Sequence, residues 1–216
     1  MKNISFLIDG FNVYHSLKDA AKVLGTYEIK WFNYQSFCRR LLKIMGNDSQ
    51  INNILWFTSL PKHMQKTNPN KINRHLNYIK AIESKGVMAV MGKFKKVTKK
   101  LMINFSTCNV TFYEEKQTDV AIGVQIIDEF VRYKSDIVAI VSGDTDLIPA
   151  IKKAQDMFPS KDVWIIFPYN RSNDELRRFI GNNHINIKAK HYRQHIMESP
   201  VVLPNGDEIH KPAKWK

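Results

Sequence analysis

Cysteine is scarce in this chain: Cys38 and Cys108 are the two in 216 residues. One pair of thiols makes no disulfide framework, and nothing else points to secretion. Long hydrophobic runs are missing as well. No stretch approaches the ~18 uninterrupted apolar residues of a membrane span, and Asp9 breaks the N-terminal apolar run too early for a signal peptide. A reducing, cytoplasmic setting is the expectation. The seven histidines lack metal-ligand spacing; His191 and His195, four apart, read as a surface-helix pair. Ser142 lacks the Gly-x-Ser-x-Gly elbow of a nucleophilic serine. Internal repeats and low-complexity tracts are absent.

Acidic residues are in the minority: 20 Asp and Glu face 33 Lys and Arg, a net charge of +13. The excess is local. From Pro61 to Lys100 eleven basic residues face one acid, Glu83, so this segment alone carries +10. A charge run is usually a solvated face, but so lopsided a concentration favours a polyanionic partner, nucleic acid first. Apolar residues make up 44 % of the chain, enough to bury a core.

Periodicity alternates between strand and helix. Residues 3–8 read as a buried strand, and Val13 to Leu24 as a helix. Asn33 caps a second helix through Ile44; Ile51 to Phe57 is the next strand. Pro61 to Asn70 is a polar loop, Lys71 to Ser84 a helix and Val87 to Met91 a strand. Lys95 to Phe105 and Val110 to Tyr113 suggest a hairpin extending from the sheet. Asp119 to Val131 is helical, with Val120, Val124, Ile127 and Val131 on one face. Ile137 to Val141, continuous and β-branched, reads as a central strand. The helix Leu147 to Met157, the strand Val163 to Phe167 and a helix capped by Ser172 or Asn173 complete the pattern. This order implies a parallel sheet with helices on both faces. The tail from Pro200 is turn-rich and expected to be peripheral, with Asn205-Gly206 suited to a small hairpin.

Four aspartates sit where such a sheet binds ligands. Asp9 closes Ile4-Ser5-Phe6-Leu7-Ile8, Asp144 and Asp146 follow the Ile137 strand, and Asp119 opens a helix. Each has an ordinary alternative as a turn former, a cap or a dipole partner. Placed jointly they would repel one another unless a cation held them, and hard oxygen donors suit Mg2+ or Mn2+. Gly10 and Gly143 beside them suit tight turns that bring backbone near a ligand. Asn12 either contacts a phosphate or bound water, or caps the helix after it. Ser142 and Thr145 are candidates to orient the aspartates.

Ile8-Asp9-Gly10-Phe11-Asn12, Lys116-Gln117-Thr118-Asp119-Val120 and Ser142-Gly143-Asp144-Thr145-Asp146-Leu147 resemble, in this order, the motifs of NYN-domain ribonucleases, a branch of the PIN-like nuclease superfamily. The tail around Val201–Lys211 is similar to the LabA-like members. The resemblance implies a three-layer α/β/α sandwich with a mostly parallel sheet over residues 1–185, followed by a basic extension at 186–216 that is packed on the domain or peripheral to it. It further implies Mg2+- or Mn2+-dependent hydrolysis of RNA, with Asp9, Asp119, Asp144 and Asp146 as metal ligands and Asn12 as their polar companion. LabA-like relatives carry paired cysteines before the Asp119 motif. Here Cys108 stands alone, and no zinc is expected.

The RNA contacts expected from sequence are Arg74 with Tyr78, four apart on a helix, and Lys93, Lys95, Lys96 and Lys116. Phe94 is either a stacking platform or a core anchor. Lys116 either reaches the phosphate or pairs with Glu114 or Glu115. Single-stranded regions of RNA are the favoured partner. A non-catalytic RNA-binding module and a phosphatase or nucleotide hydrolase are the alternatives.

Overall fold

The computed structural model describes residues 1–46, 48–103 and 106–215. The N-terminal apolar run forms β1 (Lys2–Asp9), which passes without a linker into α1 (Gly10–Leu24). The Asp9 carboxylate makes that junction, accepting hydrogen bonds from the backbone N–H groups of Phe11 and Asn12. α2 (Tyr34–Met45) begins at Asn33, whose side chain accepts from the Ser36 N–H. β2 (Ser49–Thr58), α3 (Pro69–Glu83) and β3 (Met88–Met91) follow. Next come β4 (Lys93–Ile103) and β5 (Ser106–Lys116), then α4 (Thr118–Val131), β6 (Ile137–Val141), α5 (Ile148–Met157) and β7 (Asp162–Phe167). α6 (Asp174–Ile180), β8 (His184–Asn186), α7 (Ala189–Tyr192), β9 (Val201–Val202) and β10 (Glu208–Ile209) complete the chain.

Six strands form one sheet in the order β3-β2-β1-β6-β7-β8, and every neighbouring pair is parallel. The period of two along a strand divides its side chains between two cores. Ile4, Phe6 and Ile8 of β1, with Ile137, Ala139 and Val141 of β6, pack under α1, α2 and α3. Leu7, Val138 and Ile140 face α4, α5 and α6. The result is a three-layer α/β/α sandwich, and β6, buried along its whole length, is central as its sequence predicts. Among the described residues no helix is long and apolar enough to cross a membrane.

Several expectations are corrected. The predicted apolar face of α4 is the wrong one: Val120 and Val124 are 72 % and 65 % exposed, and Val131 is also exposed. A second stripe, Ile122, Ile126 and Phe130, faces the core instead. Two apolar stripes compete on this helix, and the bulkier one removes more area from water. The segment from Pro61 to Asn70 is not all loop, because Lys62–Met64 turns as a short 3-10 helix and α3 starts at Pro69. β4 and β5 form the expected hairpin, and among the described residues they pair only with each other, as a two-stranded sheet of their own. Phe105, the expected end of the first hairpin strand, lies outside the described residues. In the tail, β9 and β10 pair antiparallel around Asn205-Gly206. Val201 and Ile209 sit in the core under α1 and α2, and the Trp31 indole N–H donates to the Glu198 carbonyl, so of the two placements expected for the tail it takes the packed one.

α4 is fixed to the sheet by a buried carboxylate. Glu129 is fully buried and accepts from Ser5 Oγ (2.5 Å), Gln125 Nε2 (2.9 Å), Ser135 Oγ (3.2 Å) and Asn53 Nδ2 (3.1 Å). A buried charge is tolerated when it is surrounded by donors, and those donors lose their partner if it is removed. Glu129→Ala is predicted to destabilise the fold by about 2–3 kcal/mol, and Glu129→Gln by less. Urea denaturation measures both.

Candidate active site

Three of the four aspartates converge. Asp9 ends β1, Asp144 lies just beyond β6, and Asp119 is in the first turn of α4. One oxygen from each lies within 4.8 Å of the others. β1 and β6 are neighbours, and the sheet order runs outward in opposite directions from them. This is the switch point of an open parallel sheet, at the carboxyl ends of its strands.

Short-range bonds fix the carboxylates. Ser142 Oγ donates to Asp9 Oδ2 (2.8 Å) and accepts from the Asp144 N–H (3.1 Å), tying the two acids through one hydroxyl. Asp144 Oδ1 accepts from the Asp146 N–H (3.0 Å), closing the turn. The two glycines make room for other chain segments. A Cβ on Gly143 would lie 1.8 Å from the Arg171 carbonyl oxygen, and one on Gly10 would lie 2.5 Å from that of Phe57. The Asp144 turn therefore sits directly against the loop that carries Arg171.

The cluster is electrostatically costly. Burial, opposed by hydrogen bonds from Asn12 and Ser142 and reinforced by Asp119 and Glu115, pushes the Asp9 carboxyl up from 3.8 to about 6. Burial also raises Asp119, with Asp144, Asp146 and Glu115 adding repulsion and Lys116 opposing it. A divalent cation fits such a set. Every donor is a hard oxygen, and Asn12 Oδ1, in the wall of the same cleft, is buried with no hydrogen-bond partner among the described residues.

The cleft has a volume of about 560 Å³. Phe11, Asn12 and His15 of α1 form one wall, Phe94, Tyr113, Glu114 and Glu115 of the hairpin another, and Arg171 closes an end. Asp146 is exposed and stands outside the close trio. The Thr145 hydroxyl makes no hydrogen bond to an aspartate among the described residues. Lys93, Lys95 and Lys96 are exposed on β4. Lys116 pairs with Glu114 (3.0 Å).

The Arg74–Tyr78 contact with RNA is corrected. Tyr78 is buried, donates to the Phe32 carbonyl (2.8 Å) and packs on Trp31, Tyr34 and Trp56. It is on the core side of α3, beside Ile79 and Ile82, while Arg74 is half-buried one turn earlier.

Sequence reasoning missed Phe11, His15, Tyr113, Glu115 and Arg171 as lining groups. The first two were legible, since Phe11 and His15 stand two and six residues after Asp9, just before and in the first turn of the helix expected from Val13. Strand alternation links Tyr113 with Glu115. Arg171 has no local signal: it arrives from beyond β7, held by Asp19 (2.7 Å).

The raised Asp9 carboxyl makes a stability prediction. Folded chains keep the proton that unfolded chains release between about pH 4 and 6, so this group's contribution is complete below pH 4 and is lost as pH rises through 6. The loss is about 3 kcal/mol by neutral pH. Asp9→Asn is therefore predicted to be more stable than the parent in EDTA at pH 7.5, with the difference shrinking towards pH 4. Mn2+ should raise the melting temperature of the parent and not that of Asp9→Asn. Differential scanning fluorimetry across pH checks both.

The fold and the site agree with the relationships of the chain. A crystal structure of a protein of unknown function, VPA0982, from Vibrio parahaemolyticus superposes with a TM-score of 0.52 at 15 % identity, covering 87 % of this chain and 93 % of that one. At that identity the likeness concerns the fold alone. Among curated proteins none matches. The NYN domain family matches residues 3–192, a span that contains all four aspartates and both walls of the cleft. The chain is thus a member of the NYN-domain family, within the PIN-like nuclease superfamily.

Proposed function

We propose that this protein is a metal-dependent ribonuclease that hydrolyses phosphodiester bonds in single-stranded regions of RNA, using Mg2+ or Mn2+. The observation that carries the reading is the meeting of Asp9, Asp119 and Asp144 within 4.8 Å at the sheet's switch point. Asn12 Oδ1 beside them is a buried acceptor without a donor. A divalent ion there supplies positive charge for the phosphate and makes water a better nucleophile at neutral pH. The chain's own groups provide position. Asp9, locked by Ser142 and the first N–H groups of α1, is the rigid member. Asp119 and Asp144 close the set, and Asp146 at the exposed rim orients the attacking water. Hydrolysis of this kind would add the hydroxyl of water to phosphorus and its proton to the departing O3′, leaving a 3′-hydroxyl and a 5′-phosphate.

The basic surface outside the cleft supports a long polyanion over a small phosphomonoester, which needs no extended lysine track. It equally suits a module that binds RNA without cutting it. Labelled single-stranded RNA incubated with pure protein and Mn2+, with and without EDTA, separates the readings. Metal-dependent products are expected, and Asp144→Asn should slow their formation by about 10³-fold while leaving the fold intact by circular dichroism. Binding without metal-dependent products would make the protein an RNA-binding module. Full activity in both Asp9→Asn and Asp144→Asn would refute the assigned site.

A further inference from the structure

The β4–β5 hairpin presents two chemically different faces, and register decides which residues lie on each. Phe94 pairs with Glu115, Lys96 with Tyr113, Thr98 with Thr111 and Lys100 with Asn109. Cross-strand partners share a face, and alternate residues of one strand share it too. The Thr98 and Thr111 hydroxyls, 3.2 Å apart, agree with this assignment. Phe94, Tyr113 and Glu115 line the acidic cleft, so this face continues outward from it. The other face carries Lys93, Lys95, Lys99 and Lys116. There Glu114, which also borders the cleft, is held by Lys116 (3.0 Å) and Lys99 (3.6 Å), and the Lys99 ammonium lies over Phe112. Lys96 and Lys100 form no ion pair among the described residues.

The cleft-side face also has an aromatic platform. His63 stacks on Tyr113, ring centroids 3.9 Å apart and planes within 6°, and meets Phe94 edge-on at 5.2 Å. Tyr113 nevertheless remains 41 % exposed. Across the cleft, the Phe11 and His15 rings pack edge to face at 4.6 Å. At about 3.4 Å per strand residue, Lys96 and Lys100 stand about 7 and about 20 Å from Phe94 along β4.

Resting on the ribonuclease reading of the same site, we infer that the cleft-side face of the hairpin is the track for the single-stranded RNA substrate. A base next to the scissile phosphate stacks on the His63–Tyr113 pair, and phosphates further along meet Lys96 and then Lys100. Lys95, a contact expected from sequence, and Lys99 are also charged and exposed but lie on the other face, off the track. Charge complementarity and continuity with the acidic site both favour this occupant. An aromatic face accepts any unpaired base, so the track selects single strands without reading sequence.

The test measures binding of the intact protein to fluorescein-labelled oligouridine in EDTA, by anisotropy across a salt series. Lys96→Gln/Lys100→Gln should weaken binding and reduce the magnitude of the log K against log salt slope by about 1.4, two phosphate contacts at about 0.7 each. Lys95→Gln/Lys99→Gln, matched in charge, should leave the slope near that of the parent. Tyr113→Leu should lower affinity about 10-fold with no change in slope. Equal slopes for the two lysine pairs, or duplex RNA competing as well as single strands, would overturn the track. A parent that binds in this pattern but yields no Mn2+-dependent products would remove the hydrolase reading and leave the track standing. A parent that cleaves while its Lys96/Lys100 variant binds and cleaves unchanged would do the reverse.

Discussion

Mutual repulsion among carboxylates at one end of a parallel sheet is the constraint around which this molecule is organised. Asp9 is buried, Asp119 and Asp144 lie against it, and Glu115 adds to the same negative field. Left to themselves these side chains would rotate into water. They are held by their places in the backbone: a strand end, a turn after the neighbouring strand, and a helix start. The Ser142 hydroxyl then fastens two of them together. The cost is borne by the rest of the fold, through the two cores on either side of β1 and β6 and through the satisfied Glu129 at the far end of α4.

Such an arrangement suits a divalent cation, and its surroundings have the opposite sign. The acidic centre lies inside a chain of net charge +13, a balance that favours polyanionic partners. Arg171 lines the cleft, held in place by Asp19, and the lysine-bearing hairpin stands beside it.

Much of this was legible in the sequence, and the limits were physical. Buried strands read clearly because Ile137 to Val141 and Val163 to Phe167 are continuous and β-branched, and Asp9 and Asp144 followed from where such runs stop. Ambiguity entered where one segment carries two patterns. α4 has apolar residues on two stripes, and their relative bulk decides which is buried. Tyr78 has an aromatic ring and a hydroxyl that suit a surface contact or a core equally, and the Phe32 carbonyl claims the hydroxyl. Arg171 depends on a loop docking against Gly143 from nearly thirty residues away, and periodicity carries no information about such docking. The hairpin expected to extend from the sheet is present, and among the described residues its strands pair with each other.

That isolation of the hairpin has a consequence for how the protein behaves at high concentration. In the main sheet the outermost strands, β3 and β8, are only four and three residues long, so they offer little backbone to a second molecule. β4 and β5 are eleven residues each, and each pairs on one side only. Unpaired amide groups along such a length are a ready template for strand addition and fibrillar stacking. The lysines that crowd β4 oppose this by repelling an identical copy, a protection that added electrolyte would weaken. The same side chains thus keep the longest exposed backbone of the molecule from sticking to itself.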